Sequence, residues 1–244
     1  NAEFNKAVLY KNYNNKENQI NEILWALNIT GYECKYSDPR FSKTYEYGIF
    51  REQYMTLEEY KKKYFDSSRP YTVGLLESNM YVSNGQLQPY YALIKSLEAK
   101  GCNVIPVVAA GGSENQLKVM VKYFTNAPSY EAYLNNPLKY TNNVNAIISM
   151  PAYGIGGNLF DNTTKYFETA GVPVFRAVHS DYVSNEEWEL SATGLPGNRS
   201  DKWWHVAIGE AQGIIEATFV GGVTHEISSK TGAQLSGFKA HEKN

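Results

Sequence analysis

The feature that most constrains this chain is a series of short apolar segments separated by stretches with helical periodicity. Thr72–Leu76, Asn103–Ala109, Ala146–Met150, Val172–Val178 and Ile214–Val220 are five such segments. The second is apolar throughout its centre, which suits a parallel strand covered on both faces. Between them, Leu87, Tyr91, Ile94 and Leu97 trace one helix face, and Leu117, Met120, Val121 and Phe124 trace another. Trp204, Ala207, Ile208 and Ala211 mark a last helix. Ser113 with Gln116, and Ser184 with Glu187, have the spacing of capping boxes. Strands alternating with helices imply a doubly wound, mostly parallel sheet with helices on both faces, an α/β fold of Rossmann-like type. In such sheets ligands lie beyond the C-terminal strand ends. That rule singles out the loops 77–85, 109–113, 150–158 and 179–187.

The first third reads differently. A smaller N-terminal α/β segment is expected, with a strand at Ala7–Tyr10 and a helix whose apolar face carries Ile20, Ile23, Leu24 and Leu27. A further helix starts at Thr56, whose hydroxyl suits an N-cap. Ser67-Ser68-Arg69-Pro70 reads as a hinge. The domains expected are therefore 1–68, an α/β domain over 69–222, and a polar tail over 223–244. The first residue is Asn rather than Met, so the natural chain is expected to run on at both ends.

Composition excludes several classes. At 43% hydrophobic and 20% charged residues, the chain can bury a sizeable core. Its 23 basic and 25 acidic residues leave no footprint for nucleic acid or an anionic membrane. The longest apolar stretch is far too short to span a bilayer. Cys34 and Cys102 lie far apart without a CxxC pair and read as buried thiols, with one disulfide as the alternative.

Known chemical motifs are mostly missing. No GxxxxGK[ST] phosphate loop is present, so the chain is not expected to hydrolyse ATP by that route. Gly154-Ile155-Gly156-Gly157 follows a strand and opens a helix, but Leu159 stands where the third glycine of a dinucleotide fingerprint belongs. That loop reads first as a tight turn, with Gly156 and Gly157 kept as ligand-binding candidates. His179, His205, His225 and His241 form no HxH, HExxH or Cys/His array, and no metal site is expected. There is no GxSxG elbow. Glu77, at the end of a strand, suits a cation or a general base, and suits equally the capping of a neighbouring turn. His179 sits just past another strand, at the ligand edge, where a hydrogen-bonded structural residue is the plainer reading. Trp188 follows the capping Glu187 in Glu186-Glu187-Trp188, and Trp203 is a candidate for exposure and stacking.

The ordered set of these segments resembles one family. Tyr47-Gly48-Ile49-Phe50 is followed by Leu57-Glu58-Glu59-Tyr60, then Val73-Gly74-Leu75-Leu76 and Leu97-Glu98-Ala99-Lys100-Gly101-Cys102-Asn103-Val104-Ile105-Pro106-Val107. Asn145-Ala146-Ile147-Ile148-Ser149, Gly156-Gly157, Gly171-Val172-Pro173-Val174, Glu186-Glu187-Trp188, Gly194-Leu195 and Val206-Ala207-Ile208-Gly209-Glu210 complete the series. From Pro39 to Gly222 the chain looks like a middle section of the large subunit of metal chelatases, the cobaltochelatase N and magnesium chelatase H subunits.

The resemblance implies a section of a very large subunit that binds a tetrapyrrole, corrin or porphyrin, and inserts Co²⁺ or Mg²⁺. ATP would be hydrolysed by separate partner subunits. The parent would be a ligase forming nitrogen–metal bonds, the section alone inactive and without a firmly held cofactor of its own. Glu77 and Glu210 are then the catalytic candidates, with Asn79, Gly156, Gly157, His179 and Trp188 as ligand-binding candidates. The sequence departs from the family at two places. After the first strand the family carries an Arg and a His, whereas this chain has Glu77-Ser78-Asn79-Met80. The family's Pro-Glu-Leu-Asp-Gly reads Gly209-Glu210-Ala211-Gln212-Gly213. These departures motivate the alternative, a non-catalytic module binding a small molecule or a protein partner. A cytoplasmic location is expected, or the extracellular surface if the parent has a signal peptide.

Overall fold

The computed structural model describes residues 2–12, 16–40, 47–157, 159–195, 202–227, 229 and 237–241. They form two compact units, one drawn from Asn1–Tyr45 with Met80–Gly85, the other from Glu46–Asn79 with Gln86–Asn244.

The first unit is built on two helices, α1 (Ala2–Asn12) and α2 (Lys16–Ile29). Ala7–Tyr10 is therefore helical, not a strand. Four apolar residues in a row are compatible with either state, and Tyr10 decides between them by packing on Trp25 of α2, ring centroids 5.9 Å apart. Trp25 Nε1 donates to Glu3 Oε2 at 2.8 Å, and the Tyr10 hydroxyl donates to the carbonyl of Ser37. Asn18 holds the following segment by donating to Arg40 O and accepting from Arg40 N. The expected apolar face of α2 is real but open, with Ile20, Ile23 and Leu27 all exposed.

The second unit is organised by one eight-stranded sheet. Its elements in chain order are β1 (Tyr47–Arg51), β2 (Gln53–Met55), α3 (Leu57–Tyr64), β3 (Tyr71–Ser78), α4 (Asn79–Asn84), which runs on into the first unit, α5 (Gln88–Ala99), β4 (Cys102–Ala109), α6 (Glu114–Phe124) and α7 (Tyr130–Asn135). Then come β5 (Ala146–Ser149), α8 (Phe160–Ala170), β6 (Val174–Ser180), α9 (Asn185–Leu190), a π-helical turn (Lys202–Ala207), α10 (Ile208–Ala211), β7 (Ile215–Val223) and β8 (Phe238–Ala240). The strand order is β2-β1-β4-β3-β5-β6-β7-β8. From β4 to β7 all pairs are parallel; β1, β2 and β8 add antiparallel pairs. The expected parallel sheet is thus present, extended by three antiparallel strands, of which β2 and β8 are the edges. Two of these, β1 and β2, are short and carry no long apolar run. The tail contributes β8 as an edge.

Helices cover both faces. Leu117, Met120, Val121 and Phe124 of α6 and Tyr166 of α8 pack with Leu76, Ile105, Val107, Ile147 and Val174 from four central strands. Each such apolar side chain, fully buried, contributes about 1.5–3 kcal/mol. The opposite face carries α5, whose Tyr90 hydroxyl donates to Phe50 O at 2.7 Å. Glu98 of α5 clasps Arg51 of β1 through two charge-assisted bonds, 2.6 and 3.0 Å. Cys34 and Cys102 are free and half-buried.

Two of the three predicted caps form as complete boxes, Thr56 with Glu59 and Ser184 with Glu187. The third does not. The Ser113 hydroxyl donates to Ala110 O, and Gln116 instead accepts from Gly156 N at 3.1 Å. A second amide, Gln212, accepts from Ile155 N and donates to Ile155 O, both at 2.9 Å. The glycine loop after β5 is therefore clamped between α6 and α10. Gly157 has φ +58, and a Cβ there would lie 2.0 Å from Gly112 O. Gly157→Ala is expected to cost about 2–4 kcal/mol of stability, strain plus a backbone collision. Urea unfolding measures it, and an unchanged midpoint would contradict this packing.

Candidate functional site

The parallel strands β4-β3-β5-β6-β7 run in the order 2-1-3-4-5, which places the topological switch point between β3 and β5. Strand β5 is short. Its last pairings are Ser149 with Leu76 on one side and with Arg176 on the other. Beyond that point β3 and β6 continue with no strand between them, and their next side chains can meet. They do: Glu77 Oε2 lies 3.1 Å from His179 Nε2, and both side chains are almost completely buried. Ser78 N donates to Glu77 Oε1 at 2.6 Å, so both oxygens of the carboxyl group are held.

Burial opposes a charge on His179, but the charge of Glu77 and its hydrogen bond outweigh it and raise the pKa above 6.5; Asp181 adds to the rise and Arg176 works against it. Phe238 of β8 closes over the imidazole edge-on, centroids 5.3 Å apart. His205 on the π-helical turn approaches from another side, ring centroids 6.2 Å apart. Its pKa falls well below 6.5, because it is buried and because His179 and Arg176 are positive neighbours. Arg176 is itself buried, and burial lowers it to about 10 despite the attraction of Glu77.

Of the sequence candidates, the structure brings Glu77 and His179 together. Asn79 begins α4 directly after them, half-buried. Gly156 and Gly157 belong to the clamped loop. Trp188 and Glu210 meet elsewhere, in a groove of about 420 Å³ on the face of β6 and β7 that also takes Leu195, Lys202, Val206 and Ala207. Trp188 stacks on Phe219 there, 4.6 Å apart and nearly parallel. Glu210 is exposed. The expected last helix is instead a π-helical turn followed by four residues of α-helix, and Trp203 is exposed as anticipated. Its own residues Lys202, Val206 and Ala207 line the groove while His205 turns towards His179.

Sequence reasoning missed Arg176 and His205 as members of this site. Arg176 had a signal: a charged residue in the middle of Val174-Phe175-Arg176-Ala177-Val178, an otherwise apolar buried strand. His205 had none beyond its place next to Trp203-Trp204. Among the described residues no group of three or more His, Cys, Asp or Glu could hold a metal ion, and no helix is long and apolar enough to cross a membrane.

Comparison with known proteins agrees with this architecture. An uncharacterized protein of Methanocaldococcus jannaschii is 27% identical over 232 residues, covering 91% of this chain and 17% of its own length. The chloroplastic magnesium-chelatase subunit ChlH of Oryza sativa subsp. indica is 28% identical over 146 residues, 58% of this chain and 10% of that protein. The catalytic subunit of cobaltochelatase from Mycobacterium tuberculosis has the same fold over 97% of this chain, with a TM-score of 0.55 and 14% identity, across 18% of its length. The chain thus spans less than a fifth of each of these proteins. The sequence profile described as CobN/Magnesium Chelatase matches residues 8–243, almost the whole length, and the chain belongs to that family.

Proposed function

We propose that this chain is the section of a metal chelatase large subunit in which a tetrapyrrole, corrin or porphyrin, meets the groups that take its protons as Co²⁺ or Mg²⁺ is inserted. Family membership supports the tetrapyrrole. The observation that carries the reading is the enclosed Glu77–His179 pair at the switch point, where doubly wound sheets bind ligands.

Insertion replaces N–H protons of the ring, two in a porphyrin and one in a corrin, by a metal ion, so the reaction needs proton acceptors beside the ring. In this reading Glu77 accepts and His179 holds the resulting charge distribution, since a carboxyl group and an imidazole 3.1 Å apart can pass a proton between them. The Trp188–Phe219 stack offers a flat apolar wall to the macrocycle, and Glu210 at the rim of that groove guides the incoming cation. Energy from ATP would come from separate ATPase subunits, as the resemblance implies, which agrees with the lack of a phosphate loop in this section.

Absorbance titration of the full-length protein with a free-base porphyrin and with a metal-free corrin tests the substrate class. A saturable band shift with one of them is expected, and no change with either at tens of micromolar would refute the reading. The pair also predicts a pH signature. A histidine raised on folding lends stability that is complete below 6.5 and is lost as pH rises through its raised value. His205, lowered on folding, works in the opposite sense and costs stability as pH falls below 6.5. Thermal midpoints of the wild type and Glu77→Gln should therefore differ most at mildly acidic pH and converge as pH rises. Parallel curves would show that the two groups are not coupled.

A further inference from the structure

Arg176 is only partly used by the fold. Its Nη1 donates to Ser149 Oγ at 3.2 Å and to the carbonyl of Pro151, which fixes the guanidinium plane. Nε and Nη2 are buried and have no hydrogen-bond partner among the described residues. These two nitrogens form the edge that grips a carboxylate with two parallel bonds.

The residue facing that edge is Gly209 of α10. A Cβ built on it would lie 3.2 Å from Nη2, 3.3 Å from Nε and 3.7 Å from Cζ. Near-equal distances to both nitrogens and a longer one to the carbon put that point in the guanidinium plane, directly before the fork. Gly209 thus lies against the fork, and a side chain there would press on it. His205, close enough to feel the Arg176 charge, leaves Nδ1 buried and also without a partner among the described residues.

The charges point the same way. Glu77 is the one buried carboxyl group among the described residues, and it already holds His179. A buried guanidinium with no carboxylate of its own is an expensive arrangement that an anion relieves. The residue before the fork, Gly209, belongs to α10, and α10 follows directly on a π-helical turn, a rare geometry that concentrates at functional sites.

We propose that Nε and Nη2 of Arg176 form a carboxylate-binding site at the C-terminal edge of the sheet, with His205 as its neighbour, reached when Gly209 of α10 and the Lys202–Ala207 turn that leads into it move off the fork. The site takes the carboxylate; an acidic side chain on a tetrapyrrole and a small free carboxylate share that chemistry. Only the first source rests on the function proposed above.

Three probes on the full chain separate the sources: sodium propionate, a free-base porphyrin bearing two carboxylates, and its dimethyl ester. Propionate is read by the imidazole NMR signals of His205, the porphyrins by absorbance. Gly209→Ala places a methyl group before the fork, 3.2–3.3 Å from its nitrogens, which must give by a few tenths of an ångström; Arg176→Lys keeps the charge and removes the fork, and serves if the first variant does not fold. The expected result is a His205 shift with propionate in the wild type, lost in the folded variant. The diacid should bind about tenfold more tightly than the ester, a preference the variant also loses. A propionate shift with no porphyrin binding supports the site and refutes the tetrapyrrole reading. A His205 signal unmoved by propionate, or moved equally in the variant, together with equal binding of diacid and ester, overturns the site; the space then holds water only.

Discussion

The contact on which the rest of the site depends is the meeting of Glu77 and His179 over the end of β5. Neither residue is on a neighbouring strand of the other. They touch because β5 stops at Ser149 while β3 and β6 continue, and because the polypeptide then leaves the sheet as the Pro151–Gly157 loop. A carboxyl group and an imidazole so deeply buried are tolerable only as partners. Ser78 N and Phe238 complete their surroundings, one by hydrogen bonding and the other by packing. Other features near that end of the sheet can be understood as supports for this pair or as ways to approach it.

The loop after β5 is held by two amides rather than by capping. Gln116 and Gln212 satisfy backbone groups of Ile155 and Gly156, and Gly157 lets the loop lie against Gly112. Gln212 can both donate and accept, which a carboxylate at that place could not. It ties the loop to the same short helix that covers the Arg176 fork, so loop, turn and fork are physically linked.

The parallel core was legible because its signal is strong: apolar strands buried on both faces, and helices with clear periodicity and caps at Thr56 and Ser184. The antiparallel strands β1 and β2 were not, since Tyr47–Arg51 and Gln53–Met55 carry no long apolar run. Ala7–Tyr10 misled because four apolar residues fix no period, and contact with Trp25 made them helical. Ser113–Gln116 had the right spacing for a box, but Gly156 offered Gln116 a better partner. For the site, strand position alone pointed to Glu77 and His179. Their pairing needed the length of β5, which differs from the expected Ala146–Met150 by only one residue. Arg176 was visible as a charge inside an apolar strand; His205 reached the site through a π-helical turn that no local pattern announces.

The central claim is that Glu77 and His179 act as one coupled acid–base unit. Titration of the His179 imidazole by NMR, in the wild type and in Glu77→Gln, tests it most directly. The account predicts a midpoint above 6.5 in the wild type, because the attraction of Glu77 exceeds the cost of burial. In Glu77→Gln burial acts without that attraction, and the midpoint should fall below 6.5. A midpoint that is the same in both proteins would contradict the coupling and the site built upon it.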